Sequence, residues 1–241
     1  AVDFVFETVA PTRCVVCERP GALLCGACAM KLRAIDQQSA CPVCGAPFGI
    51  VSCTECLRPE GPLAHSFDRA RACYVFDDAS ARLVRAFKDE GERRLASLIA
   101  ERIMEAAGDF ALAADVIVPI APTRAALRKR GFDHMGLVAK ECERLTGLPV
   151  YPCLEKAHSR DQRALSREER MANMREAFSI RSPQDAAGIR AMHPRILLVD
   201  DVFTTGATLD AAAATLRGAG ACAVDAAALC RVWGSESMGV R

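Results

Sequence analysis

The sequence has no surplus charge of either sign. Its 241 residues carry 31 Lys and Arg against 30 Asp and Glu. That balance excludes a uniformly basic nucleic-acid coat, though not a local basic patch. No apolar run is long enough to cross a bilayer, so no membrane insertion is expected. The opening residues, A-V-D-F-V-F-E, lack the basic n-region of a secretory signal. Aromatic residues are few, while Ala and Arg are frequent. The length suits one large or two smaller domains with ample core.

Cysteine is the residue in excess. Of 13 cysteines, eight form four C-x-x-C pairs: Cys14/Cys17, Cys25/Cys28, Cys41/Cys44 and Cys53/Cys56. A disulfide scaffold would not crowd them into one end of a chain with this much core. A reducing, cytoplasmic setting with metal sites is expected instead. Zinc takes four thiolates in a tetrahedron, and each C-x-x-C turn supplies two, so four knuckles make two zinc sites. Gly26, Pro42 and Gly45 stand where such turns need small or rigid residues. Sequential pairing gives two small ribbons and interleaved pairing a cross-brace; the sequential arrangement is favoured. Sites closed by four cysteines leave no position for water, so both are expected to be structural. The stretch from Ala29 to Ile35 reads as one or two helical turns. The P-E-G-P run at Pro59 to Pro62 divides a ribbon domain (1–62) from a second domain (63–241).

The second domain is organised around R-I-L-L-V-D-D-V-F-T-T-G-A-T, from Arg195 to Thr208. An apolar run, a polar glycine loop and an Ala-rich helical pattern read as a buried parallel strand, its C-terminal edge and a crossover helix. Open α/β sheets bind ligands at that edge. The run Thr204, Thr205, Gly206, Ala207 and Thr208 suits a sugar phosphate. The helix start offers free N–H groups, the glycine permits close backbone approach, and the hydroxyls can donate to phosphate oxygens. Asp200 and Asp201 can accept from two sugar hydroxyls. The plainer alternative is a strand and turn with Thr205 or Thr208 as the helix cap. A P-loop is excluded because no Gly-Lys-Ser/Thr ending is present. The stretch resembles the phosphoribosyl-pyrophosphate (PRPP) loop of type I phosphoribosyltransferases, in which two acids precede a T-T-G-x-T loop.

Around this centre, residues 67–77 read as a strand, and Ala79 to Ala107 as two helices broken near Lys88 to Gly91. Lys88 reads as a solvated partner of its helix dipole. Asp115 to Ile120 reads as a buried strand ending in A-P-T-R. In the phosphoribosyltransferase fold the loop after this strand faces the PRPP loop and cradles pyrophosphate, which makes Thr123 and Arg124 candidates; an ordinary helix start with Thr123 as cap is the alternative. Arg124, Arg128, Lys129 and Arg130 form a basic cluster ending at Gly131. Residues 133–147 read as a helix with Met135, Val138, Cys142 and Leu145 inward and Gly147 at its end. His134 reads as a surface or capping residue. Leu148 to Leu154 reads as a short strand. The polar, Arg-rich excursion 155–176 reads as a lid, with Gln162, Arg163, Arg170 and Asn173 among its residues. Ala177 to Ile180 and Ala221 to Val232 read as strands.

Four knuckles followed by R-x-x-L-R-x-R-G-F (Arg124 to Phe132), Q-x-x-L-S-x-x-E-R-x-x-N (Gln162 to Asn173) and the Asp200–Thr208 loop are similar to the ComF family of competence proteins. The chain departs from that family in reading R-G-F-D-H, with Asp133 and His134, where R-G-F-N-Q is common. The resemblance implies a double zinc ribbon with two structural Zn sites, before a parallel-sheet α/β domain of the type I phosphoribosyltransferase kind. It implies PRPP or a related sugar phosphate bound with Mg²⁺, and a part in natural transformation with single-stranded DNA and a competence helicase as partners. No residue stands out as a catalytic acid or base. A metabolic phosphoribosyltransferase acting on a nucleobase or amine, and a zinc-ribbon adaptor with an inactive transferase domain, are the alternatives.

Overall fold

The computed structural model describes residues 12–47, 49–58, 61–62, 65–156 and 177–233. The ribbon region contributes one α-helical turn, α1 (Gly26–Ala29), a 3-10 turn at Gln37–Ser39, and a short antiparallel pair, β1 (Leu57–Arg58) and β2 (Gly61–Pro62). The turn expected over Ala29 to Ile35 thus lies earlier. The carbonyl of Cys25 accepts from the N–H groups of Cys28 and Ala29 and winds the knuckle itself.

The second domain then runs through β3 (Ala70–Val75), α2 (Asp78–Lys88), α3 (Leu95–Ala107), α4 (Asp109–Ala113), β4 (Val116–Pro119), α5 (Arg124–Arg130) and α6 (His134–Thr146). It continues with β5 (Leu154–Lys156), β6 (Phe178–Ile180), α7 (Pro183–Met192), β7 (Arg195–Phe203), α8 (Ala207–Ala219) and β8 (Ala223–Arg231). The main sheet has four parallel strands in the order β3-β8-β7-β4. Its interior strands are apolar over Ile196–Val199 of β7 and Ala226–Cys230 of β8, where both faces are covered. Ile196 and Leu198 of β7 join the cluster that includes α7 and α8, while Leu197 and Val199 join the cluster of α2, α3 and α6.

Two expectations need correction. Leu145 is 40% exposed rather than inward, since the inward stripe of α6 is carried by Met135, Val138 and Cys142. The strand expected over Leu148 to Leu154 begins only at Leu154. Pro149 and Pro152 lack the N–H that a ladder needs, and between them Val150 bridges to β4 at Ile117.

The two ribbons lie on opposite faces of the sheet. Val15, Leu23, Leu24 and Leu32 of the first pack with the α3 and α6 cluster, and Cys41, Cys44, Ala46, Cys53 and Cys56 of the second pack with the α7 and α8 cluster. The segment between them crosses the edge of β3. Ile35 N–H donates to the Cys73 carbonyl and Val75 N–H to the Arg33 carbonyl, with Ala34 opposite Tyr74 in an antiparallel bridge.

Gly45 sets how closely the second ribbon can approach. Its φ is +66°, and a Cβ there would stand 2.7 Å from the Ala70 carbonyl oxygen. Gly45→Ala should therefore cost at least about 1–3 kcal/mol, the scale of a strained left-handed residue, with the clash added. Denaturant unfolding of the zinc-loaded protein measures it; an unchanged midpoint would refute the tight contact.

Candidate functional site

The eight knuckle cysteines form two clusters, Cys14/Cys17/Cys25/Cys28 and Cys41/Cys44/Cys53/Cys56, each with its sulfurs within 4.8 Å of one another. The pairing is sequential. Sulfur separations of 3.6 Å (Cys17 to Cys25) and 3.5 Å (Cys44 to Cys53) are close to the ~3.8 Å edge of a tetrahedron with Zn–S bonds of about 2.3 Å. Each cluster also receives a backbone donor: Cys25 N–H to Cys14 Sγ at 3.4 Å and Cys53 N–H to Cys41 Sγ at 3.3 Å. Burial opposes ionisation of these two thiols, but donors of this kind outweigh it and bring Cys14 down to about 6 and Cys41 to about 7. The residues fit two closed, structural zinc sites.

The other candidate site lies at the C-terminal edge of the sheet. Asp200 and Asp201 end the apolar part of β7, and both are only 6% exposed. Because strand side chains alternate, the two acids fall on opposite faces. Asp201 follows Val199 toward α2 and α6, where its Oδ2 takes Lys88 Nζ at 2.5 Å and His134 Nε2 at 3.1 Å. Asp200 follows Leu198 to the other face, and its Oδ1 accepts the Asp201 N–H at 2.9 Å. Burial pushes the Asp200 carboxyl up to about 8, and the charge of Asp201 adds to the rise. Burial also opposes charge on Asp201, but the His134 hydrogen bond and the Lys88 ammonium hold it well below the usual carboxylate range.

The expectations for Lys88 and His134 are corrected here. Lys88 closes α2 pointing at the acid rather than at solvent, and His134 is 5% exposed. Arg130 Nη1 stands 2.7 Å from His134 Nδ1. Arginine only donates, so Nδ1 accepts and Nε2 carries the hydrogen given to Asp201. The R-G-F-D-H run explains this placement residue by residue. Gly131 ends α5 at φ +77°. Phe132 packs edge-on against Phe87 of α2, 6.3 Å between centroids. Asp133 caps α6 by accepting the Gly136 N–H at 2.9 Å, which leaves His134 facing Lys88 across Asp201.

Beyond the acids, Thr204 and Thr205 are exposed, Gly206 is buried at φ +84°, and Ala207 and Thr208 open α8. Gly206 is itself the N-cap and has no side chain to offer, while Thr205 Oγ1 accepts the Ala207 N–H at 3.4 Å. The plainer expectation of a capping threonine is met in part, by Thr205 from one residue before the N-cap, and the N–H groups that follow keep their capacity for an anion. On the facing loop, Thr123 accepts the Ala126 N–H at 3.1 Å and caps α5. Arg124 is paired with Glu155, its Nε donating at 2.9 Å. Arg128 is exposed, and Arg130 reaches the acid only through His134. Gln162, Arg163, Arg170 and Asn173 lie outside the described residues. Lys88 and His134 were each visible as titratable residues beside a motif; only their burial against Asp201 distinguishes them.

Comparison with known proteins follows the same division. A family model described as "Double zinc ribbon domain" matches residues 5–62. The chain is 26% identical over 206 residues to "Competence protein F" of Haemophilus influenzae, covering 82% of this chain and 85% of that protein. It is 27% identical over 225 residues to "Competence protein ComFC" of Bacillus subtilis, covering 89% and 86%. The chain is thus similar to these competence proteins over most of its length. Among solved structures it is similar to a glutamine PRPP amidotransferase from B. subtilis, with 23% identity over 56% of this chain and a TM-score of 0.35. The chain spans a quarter of the length of that enzyme. Among the described residues, no helix is long and apolar enough to cross a membrane.

The split between the two acids has a measurable sign. Asp200 holds a proton in the folded chain that the unfolded chain releases near pH 4. Its contribution to stability is full below that value and is lost as pH rises through about 8. Asp200→Asn removes this slope, so its melting temperature should gain on the parent between about pH 6 and pH 8. Asp201→Asn should instead destabilise by about 2 kcal/mol, less than the ~3–5 of a fully buried pair because the Lys88 side chain is 31% exposed. Thermal unfolding of both variants across that range reads the contrast; matching shifts would refute it.

Proposed function

We propose that this ComF-like chain binds PRPP or a related ribose 5-phosphate ester with Mg²⁺ at the C-terminal edge of its sheet, and that it serves in competence by handling single-stranded DNA. The observation that carries the reading is the pairing of two buried acids at the end of β7 with an α8 N-terminus whose N-cap is a glycine at φ +84°. The 5′-phosphate would lie on the Thr204–Thr208 loop, with Asp200 and Asp201 toward the ribose hydroxyls. Asp201 already accepts two donors on one oxygen, so it suits a fixed, ionised acceptor. Asp200 Oδ2 has no hydrogen-bond partner among the described residues, and it suits the hydroxyl or metal-facing role. Mg²⁺ prefers oxygen ligands and phosphates, and when bound it would neutralise pyrophosphate charge.

Competence enters from the names of the relatives, which resemble this chain across both its parts. Exposed Arg128 and Lys129 on α5, and the Arg-rich stretch that holds Arg163 and Arg170, would supply contacts to a DNA backbone. A division into a ribbon domain, 1–62, and a sugar-phosphate domain, 63–241, in a cytoplasmic protein that works beside a competence helicase, belongs to the same proposal.

Calorimetric titration with PRPP and Mg²⁺, repeated on the Asp200→Asn/Asp201→Asn double variant, tests the reading. Binding by the parent and at least a ~100-fold loss in the variant are expected, the scale of two hydrogen bonds to charged acceptors at about 1.5–3 kcal/mol each. No heat with the parent would overturn it. Pyrophosphate release with one particular nucleobase would favour the metabolic transferase instead.

A further inference from the structure

The loop after β7 is tied to the second ribbon by a buried cation. Arg231 ends β8 and is 1% exposed. Its Nη2 donates to Glu55 Oε2 at 2.8 Å and lies 3.8 Å from Cys44 Sγ, both in the second ribbon. Its Nη1 donates to the carbonyl of Thr204, the first residue of the loop. The guanidinium lies over the Phe203 ring, 4.0 Å from its centroid. That ring in turn abuts Gly206, where a Cβ would come within 2.7 Å of it. One side chain therefore holds a zinc ligand, the loop backbone and the ring on which the loop rests.

A second bridge runs beside it. Cys56 Sγ lies 3.8 Å from His65 Nε2, and His65 Nδ1 lies 3.7 Å from Asp210 Oδ1 in the first turn of α8. The same oxygen accepts the Ser66 N–H at 2.6 Å. His65 stacks on Phe67 at 4.4 Å, and Phe67 meets Phe203 edge-on at 6.1 Å. A cavity of about 170 Å³ between the bridges is lined by Thr205 and by their own side chains. Facing this packing, Arg231 Nε is buried without a hydrogen-bond partner. A zinc ion held by four thiolates is a net anion, so the loaded second site attracts the Arg231 guanidinium that also fixes Thr204. The first ribbon packs with the opposite face of the sheet.

We propose that the zinc of the second ribbon and the phosphate loop are one coupled unit, with Arg231 as the positioning residue and His65 as a second arm. Metal in this ribbon, and not in the first, holds the loop in the shape that takes ribose 5-phosphate. The inference rests on the sugar-phosphate reading of that loop.

Coupling between two binding sites is reciprocal, which gives a test that needs no enzymatic activity. Zinc is competed away at equilibrium with a chromophoric chelator, with and without saturating ribose 5-phosphate and Mg²⁺. Cys17→Ser, a change at an exposed ligand of the first ribbon, identifies which zinc is which. The second zinc should be held about 5-fold more tightly or better when the sugar phosphate is bound, with the first unchanged. Glu55→Gln keeps all eight cysteines but removes the charge that anchors Arg231. It should retain two zinc ions and a single cooperative unfolding transition, at a lower midpoint because the buried Arg231 loses its carboxylate, while the coupling falls toward unity. A parent that binds ribose 5-phosphate yet holds both zinc ions equally in its presence and absence overturns this inference alone. Coupling undiminished in Glu55→Gln overturns the role of Arg231. A parent that binds no ribose 5-phosphate overturns the sugar-phosphate reading and this inference with it.

Discussion

Everything at the ligand edge follows from one constraint: β7 is buried on both faces. A strand in that position must be apolar at every residue until the sheet ends. Two consecutive acids can therefore stand only where the covering helices stop, and the alternation of the strand then sends them to different sides. Asp201 meets the ends of α2 and α6, which carry a cation and an imidazole. Asp200 meets neither, and its carboxyl is left to burial and to the charge next to it. Two residues of one type, adjacent in sequence, so acquire opposite protonation preferences. One is a permanent anion and the other becomes one only when something compensates its charge.

The ribbons contribute to the same organisation. Neither forms a lobe hanging from the chain; each buries its apolar side against one helix layer of the second domain. The second goes further, because its cysteines belong to the cluster that holds Phe203 and Leu209, the residues on either side of the loop after β7. A ribbon closed by metal is a rigid body that needs little core of its own. Placed here, it lies against the loop that leads into α8.

Much of this was legible in the residues. The C-x-x-C spacing gave the two metal clusters, and the apolar runs at Val116 and Ile196 gave the buried strands. The break at Gly91 separated α2 from α3, and Gly147 ended α6. These features are local, or repeat at a fixed period, which is why a sequence displays them. The missed parts depend on distant partners. Lys88 and His134 lie 113 and 67 positions from Asp201, and Arg231 lies 176 from Glu55. No spacing rule links such positions. An arginine in an apolar last strand gives no sign that a carboxylate in a zinc ribbon will meet it. The difference between the two acids was hidden for a related reason: adjacency in sequence does not show that strand geometry gives them different neighbours.

The antiparallel bridge at Ala34 also bears on how the chain is kept from self-association. β3 is the outer strand of an all-parallel sheet, and bare outer strands recruit other chains through their unpaired N–H and C=O groups. The peptide between the ribbons lies along that strand and occupies its backbone groups at Cys73 and Val75. The ribbon region is in this sense a sheath for the sheet. Cut away, it would leave the sheet with one raw border, open to the backbone of another chain.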